Sequence, residues 1–544
     1  MSVFKLSSIR LVLLVSLFIT LADNQAFFSK LSGRLDIFSF QGGAYLFSLY
    51  LVIFTVLVII QFVFGIRYLL KPIMIFLLIA SAILSYFGQQ LGVIFDVDMV
   101  RNIVENIKDN NQHEALELLS PPLIRHVLLY GVLPAILVLL VRINYKPFFR
   151  EVFWRIASVL VLLAVISGVL AANFKFTSYF SRENRDLRVY ITPLYVIDSI
   201  KGFIRSELKK NKAPLKIVGD DAMQVAQGIN RRIGIMVVGE TARWDHFSLN
   251  GYARETNPQL KKINIINYGK AISCGTSTAY SVPCMFSFLD KSNYSPGKAA
   301  RQTNLLDVLK KAGIKVYWID NNSSCKGVCE RSGEINVRNH PDASSPFYTE
   351  GELFDEELIT QTDKVLDKLL KEDNSNADIL IVLHTMGSHG PKYYRRYPDT
   401  FSRFEPACKK ATPQECSDKE IINAYDNTIL YTDYVLSRLI AYLQTKRADA
   451  DAFLIYASDH GESLGEKGVY LHGLPYFLAP EAQTHVPMFV WFSDNYIKNE
   501  KLDMDKIKAL QNSEVSHDYL SHTLLSAFDV KTEIYKPDHD LISR

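Results

Sequence analysis

Five apolar runs crowd the first third of the chain, at residues 11–28, 44–64, 73–94, 123–141 and 152–173. Each is close to the ~20 residues that a helix needs to cross a bilayer core. A chain that begins this way has to be a membrane part followed by something else, and the 48% hydrophobic average hides that asymmetry. The first run has no persuasive small-residue cleavage site and four more follow it, so it reads as an anchor helix rather than a signal peptide. Few charges interrupt the runs, which argues for an anchor rather than a proton or ion path.

Basic residues in short loops are retained on the cytoplasmic side. Lys5 and Arg10, Arg67 and Lys71, and Arg142, Lys146, Arg150 and Arg155 fall on one side of the five runs. The other side carries Lys30 and Arg34 with Asp23 and Asp36, then an acid-rich loop with Asp96, Asp98, Glu105, Asp109, Glu114 and Glu117. The amino terminus is therefore expected inside, and everything after Asn173 outside. The cysteines agree: all six follow the last run, in close pairs Cys274 and Cys284, Cys325 and Cys329, Cys408 and Cys416. Disulfides persist in oxidising compartments, and local pairs suggest three short bridges, although six cysteines formally allow fifteen pairings. A metal site at Cys325-x3-Cys329 is the rival reading. A net charge of +3 gives no reason to expect nucleic acid.

The expected division is a five-helix transmembrane domain over 1–175, a connector over 176–230 and an α/β domain over 231–544. Residues 179–210 alternate apolar and charged positions, as a helix along the membrane face would, or a solvated linker. From Arg232 onward, short β-branched runs alternate with helical stretches, the pattern of a mostly parallel sheet covered on both faces. Strands are expected at 233–238, 315–319, 379–383 and 453–457, and helices at 304–312, 352–371 and 421–445. Each strand runs into a polar cluster: Gly239-Glu240-Thr241, Asp320-Asn321-Asn322, His384 to His389, and Ser458-Asp459-His460-Gly461-Glu462. Ligands bind outside the carboxyl ends of parallel strands, so these clusters should share one site.

Glu240, Asp459 and His460 offer two carboxylates and an imidazole, a set suited to zinc or a similar divalent ion. Between Cys274 and Cys284 lies Gly-Thr-Ser-Thr-Ala-Tyr-Ser-Val-Pro, a hydroxyl-rich turn from which Thr278 is the candidate nucleophile and fourth ligand. A field that acidifies water also favours a threonine alkoxide. Asn322, Lys326, His389 and His472 could fix a phosphoryl group, and a helix opening at 277–280 would add backbone donors. His389 or His472 could instead give a proton to the leaving oxygen or hold a second metal. His384, inside an apolar run, reads as structural.

The segment from Cys274 to Phe286, with Gly239-Glu240-Thr241-Ala242-Arg243, Asp320-Asn321-Asn322, Lys326-Gly327, Gly387-Ser388-His389-Gly390-Pro391 and Ser458 through His472, closely resembles the phosphoethanolamine transferases. These modify lipid A in Gram-negative bacteria and include the mobile colistin-resistance enzymes. The resemblance implies an alkaline-phosphatase-like fold of the sulfatase superfamily and a two-step transfer. Thr278 would take phosphoethanolamine from phosphatidylethanolamine and pass it to lipid A. It implies Zn2+, one ion and room for a second, on Glu240, Thr278, Asp459 and His460. Asn322, Lys326, His389 and His472 match substrate-side positions, as do Asn106 and Glu114 in the loop after the third run; Asn110 stands where some members have threonine. A monomer in the bacterial inner membrane, its catalytic domain in the periplasm and in contact with membrane lipids, is expected. Rival readings are a phosphoglycerol transferase of the lipoteichoic-acid type, transfer to a core sugar, and a non-enzymatic membrane sensor. A sulfatase is disfavoured because Met285 stands where that signature needs arginine.

Overall fold

The computed structural model describes residues 4–108, 118–210, 214–225, 230–339, 341–372 and 376–542. By internal packing the chain divides into two units, Met1–Val97 with Leu119–Gly202, and Asp98–Leu118 with Phe203–Arg544.

The first unit is helical. In chain order its helices are α1 (Ser8–Ala22), α2 (Gln25–Ser32), α3 (Phe40–Phe64) and α4 (Leu70–Leu91). After α5 (Val97–Lys108), which passes into the second unit, come α6 (Pro121–Leu140), α7 (Phe148–Ala172), α8 (Phe174–Glu183) and α9 (Leu194–Lys210). Four of these are long and apolar enough to cross a membrane, and α1 with α2 makes a fifth candidate bent by 52°. The unbroken first span expected from the sequence is thus interrupted. At the break, the buried Asn24 side chain donates to Ile19 O (3.1 Å) and Thr192 O (2.9 Å) and accepts from Thr192 N (2.9 Å). Side-chain bonds of this kind compete with the helical ladder and end it. Gln61 of α3 donates to Ser16 of α1 at 2.7 Å, a polar tie of the sort that joins helices where lipid gives no hydrophobic drive. Phe4–Ser7 pairs in parallel with Val141–Asn144. The segments before the first span and after the fourth therefore lie on one side, as an even number of crossings requires.

The second unit is built on a seven-stranded sheet. Its strands are β1 (Arg232–Gly239), β2 (Ile266–Asn267), β3 (Lys315–Asp320), β4 (Glu334–Asn336), β5 (Ile379–His384), β6 (Asp451–Ser458) and β7 (Met488–Phe492). Their order across the sheet is β2-β7-β6-β1-β5-β3-β4. The run from β6 to β4 is parallel, and β7 and β2 close one edge antiparallel. Every residue of β1, β5 and β6 is buried, the near-continuous apolar pattern of a sheet covered on both faces. The strand period of two sorts β1 cleanly: Met236 and Val238 join one core, Ile233, Ile235 and Val237 the other.

Helices α10 (Thr278–Met285), α11 (Leu305–Lys311), α12 (Glu357–Glu372) and α13 (Asp418–Lys446) flank the sheet. α11 and α13 open on capping boxes at Asn304 and Ser417. α12 starts five residues later than the periodicity predicts. Glu352–Leu353 instead pairs with Tyr348–Thr349 across a turn at Gly351 (φ 82°), and the Glu352 carboxylate is held by Arg338 and Arg396 at 3.2 and 3.0 Å.

At the start of β1 the Arg232 guanidinium is buried between Asp378 (3.0 Å) and Glu500 (2.6 Å). Replacing it leaves two carboxylates without their cation, a change that costs about 3–5 kcal/mol. Arg232→Met should therefore lower the thermal denaturation midpoint of the full chain sharply, whereas Arg231→Met, one residue earlier, should move it far less.

Candidate functional site

Register brings the strand ends together. Ser458 lies opposite Gly239, and His384 lies opposite both Val238 and Asp320. The residues that follow, Glu240, Asn321-Asn322, Thr385 to His389 and Asp459-His460, therefore leave the sheet along one edge. Facing them is the first turn of α10, with Thr278 as its first residue and Ser277 as its N-cap.

Thr278 is fixed by a compact turn. Cys274 and Cys284 are joined, with Cα atoms 6.2 Å apart. The Gly275 N–H donates to Ser281 Oγ (3.2 Å), which donates to the carbonyl of Asp459 at 2.5 Å. His517 completes the clamp: its Nδ1 accepts from Cys274 N (3.1 Å) and its Nε2 donates to Ser458 O (2.9 Å). Burial lowers the His517 pKa to about 3, so the ring is neutral, as one accepting and one donating nitrogen require.

Four electron-pair donors meet at the centre. His460 Nε2 lies 3.2 Å from Asp459 Oδ2, 3.4 Å from Glu240 Oε1 and 3.4 Å from Thr278 Oγ1. The Thr278 hydroxyl is 3.2 Å from Glu240 Oε2. His460 Nδ1 faces the Gly461 carbonyl at 2.9 Å and must carry the ring proton, so Nε2 presents a lone pair. Burial holds the His460 pKa well below 6.5 and pushes that of Asp459 up to about 6. No hydrogen bond reaches Asp459 Oδ2 among the described residues. Such a cluster lacks protons to reconcile it but fits a cation. Ligand atoms on a tetrahedron with bonds of about 2.0–2.1 Å stand roughly 3.3 Å apart, close to the separations here.

The remaining sequence candidates surround this cluster. Asn322 Nδ2 donates to Glu240 Oε2 (2.8 Å) and Thr385 O (2.9 Å), so the amide orients Glu240. His472 stacks 4.3 Å from the His460 ring and 5.8 Å from that of His389. Its Nδ1 is 3.0 Å from Glu462, and with Glu240 and His460 it forms a second possible ligand group. Burial lowers the His389 pKa well below the usual value. Lys326, at φ 49° between Cys325 and its partner Cys329, lines a cleft with Ala279 of α10 and with Arg101 and Glu105 of α5. The Asn106 side chain, Glu114 and Asn110 lie outside the described residues. The third disulfide joins Cys408 and Cys416. His384 is fully buried beside Asp320 (3.0 Å), behind the cluster.

Several supporting residues were not among the sequence candidates. Buried Asp355 accepts from the Met386 and Gly387 amides (2.8 and 2.9 Å) and so shapes the loop after β5. Gly387 has φ 50°, and a Cβ there would stand 2.8 Å from Glu240 O. Glu462 accepts from Tyr393 (3.2 Å) while holding His472. Gly387 and Glu462 lie within the segments that carry the family resemblance, whereas nothing in the sequence pointed to Asp355 or His517. Replacing His517 by Phe strands two buried backbone groups at about 1–3 kcal/mol each. His517→Phe should lower thermal stability accordingly, and His517→Gln, which keeps a donor or an acceptor, should recover part of the loss.

Residues 232–530 match the Sulfatase family, and residues 53–208 match the family described as Phosphoethanolamine transferase EptA/EptB. The chain is 36% identical over 540 residues to phosphoethanolamine transferase EptA of Escherichia coli K12, covering 98% of this chain and 96% of that protein. It is 37% identical over 533 residues to phosphatidylethanolamine transferase Mcr-1 of Escherichia coli, covering 97% and 96%. Among solved structures, the integral membrane lipooligosaccharide phosphoethanolamine transferase A of Neisseria meningitidis superimposes with a TM-score of 0.92 at 32% identity, over 99% of each chain. Matches of this extent to both units show that the chain belongs to the phosphoethanolamine transferase family, its second unit having the alkaline-phosphatase-like sulfatase fold.

Proposed function

We propose that the chain transfers phosphoethanolamine from phosphatidylethanolamine to lipid A through a covalent intermediate on Thr278. The observation that carries this reading is the Thr278 hydroxyl, held at a helix N-terminus 3.2 Å from Glu240 and 3.4 Å from His460, whose Nε2 in turn lies 3.2 Å from Asp459. In the first step the Thr278 oxygen attacks phosphorus, the bond from phosphorus to the diacylglycerol oxygen breaks, and the proton lost from the Thr278 hydroxyl is balanced by one delivered to that leaving oxygen. In the second, an oxygen of the lipid A phosphate attacks the same phosphorus and gives up its proton, and the Thr278 oxygen leaves and takes one up.

The residues divide that work. Glu240, Thr278, Asp459 and His460 would hold Zn2+, which when bound favours the deprotonated hydroxyl and offsets phosphoryl charge. The Thr278 and Ala279 amides open α10 without intrahelical acceptors and point their dipoles at an incoming anion. Lys326 supplies a cation on the cleft wall. His472, turned by Glu462, presents its other ring nitrogen to the leaving oxygen, with His389 beside it. Asn322 fixes Glu240, and Asn106 and Glu114 are substrate-binding positions by the resemblance. The acceptor assignment follows the resemblance and the lipooligosaccharide named for the meningococcal neighbour. An inner-membrane anchor with the second unit in the periplasm follows from the basic loops and the three disulfides. An added ammonium would reduce the negative charge of lipid A and with it the attraction of cationic peptides such as polymyxin.

Incubation of the parent protein with phosphatidylethanolamine should add one phosphoethanolamine mass at Thr278, read by peptide mass spectrometry. Thr278→Ala should form no adduct and lose activity on the order of 10⁴-fold or more. A labelled head group on phosphatidylglycerol but not on phosphatidylethanolamine reaching the protein would replace this reading with phosphoglycerol transfer. Zinc content, read by elemental mass spectrometry, should be about one ion per chain or more. It should fall well below that in Asp459→Asn, and chelation should abolish adduct formation until zinc is restored.

A further inference from the structure

Within the first unit a groove of about 590 Å³ runs between α3 and the start of α7. Its walls are apolar, with Ile59, Val63, Ile156 and Leu160 among them, and its one polar end carries Arg67, Lys146, Glu151 and Arg155. From Phe148 to Leu160 the α7 wall rises through twelve helical steps, or about 18 Å at ~1.5 Å per step. Half of a ~30 Å hydrocarbon core is about 15 Å. The groove is thus as deep as one leaflet. α7 is also the least covered of the candidate spans, with only 6% of its most apolar window buried.

The polar end is not neutral. Glu151 is already engaged by Arg155 (3.1 Å), by the Lys146 amide (3.1 Å) and by Ser8. Arg155 also donates to the carbonyls of Phe62 and Gly65 at 3.2 and 3.0 Å, so this pair is internally satisfied. Arg67 and Lys146 remain. No carboxylate pairs with either among the described residues, and each instead lies over a ring, Arg67 5.8 Å from Tyr145 and Lys146 4.6 Å from Trp154. Aromatic residues with basic partners mark head-group depth, and basic pockets between helices on the cytoplasmic side suit anionic head groups.

We infer that this groove is a binding site for an anionic glycerophospholipid of the cytoplasmic leaflet, one acyl chain lying between α3 and α7 and the phosphate between Arg67 and Lys146. The site shares no residue with the transfer centre, so its failure would leave the transferase reading untouched, and the reverse also holds.

The test uses the full chain purified in detergent and exchanged into mixed micelles of phosphatidylglycerol and phosphatidylethanolamine, with retained lipid counted by native mass spectrometry. The parent should retain phosphatidylglycerol at least about fivefold over phosphatidylethanolamine, and phosphatidylglycerol should raise its melting temperature. Arg67→Gln with Lys146→Gln should abolish both effects. Arg142→Gln with Arg150→Gln, the same charge change at exposed positions outside the groove, should leave both in place. Equal retention of the two lipids by the parent, undiminished retention by the groove variant, or an equal loss in the control variant would each overturn the assignment.

Discussion

Two buried carboxylates repel one another and the lone pair of a neutral imidazole lying 3.2–3.4 Å from them, a single hydroxyl proton cannot satisfy them all, and much of the second unit serves to hold them there. No single contact does so. Parallel register places Glu240 and Asp459 at adjacent strand ends. Asn322 reaches across from the end of β3 to Glu240, and Gly387 lets the loop after β5 close against the Glu240 backbone. The Thr278 turn comes from outside the sheet and would be the weakest member, yet it is tied at three points, by the Cys274–Cys284 bond, by Ser281 and by His517. Electrostatic preorganisation of this sort costs stability in the resting protein and lowers the reorganisation needed when charge develops.

What could be read in the sequence is what local chemistry writes there. Strands buried on both faces are β-branched runs, and β1, β3, β5 and β6 were legible with their polar ends because a parallel sheet leaves no other place for those ends to go. Thr278 stood out for its cysteine-bounded, hydroxyl-rich surroundings, and the ligand types at Glu240, Asp459 and His460 followed from the convergence. The misses share one cause, a partner remote in sequence. Asn24 breaks the first span by bonding to Thr192, 168 residues away. The start of α12 is displaced because Glu352 is drawn to Arg396, 44 residues on. His517 bridges residues 243 and 59 positions distant and sits in Ser516-His517-Asp518, with nothing in its spacing to mark it.

The division of the chain also differs from the order of its sequence. Residues 98–108 lie between two spans, yet they pack with the second unit, where Arg101 and Glu105 share a cleft with Ala279 and Lys326. A transferase with lipid substrates gains from a tether, because confinement to the membrane raises the effective concentration of both partners. Here α5 is more than a tether, since Arg101 and Glu105 form one wall of the cleft that Ala279, the residue after Thr278, also lines. A second unit cut free at Phe203 keeps Glu240, Thr278, Asp459 and His460 together but loses that wall. The cluster itself therefore needs only residues that follow Phe203, whereas the cleft needs chain from both sides of the last two spans.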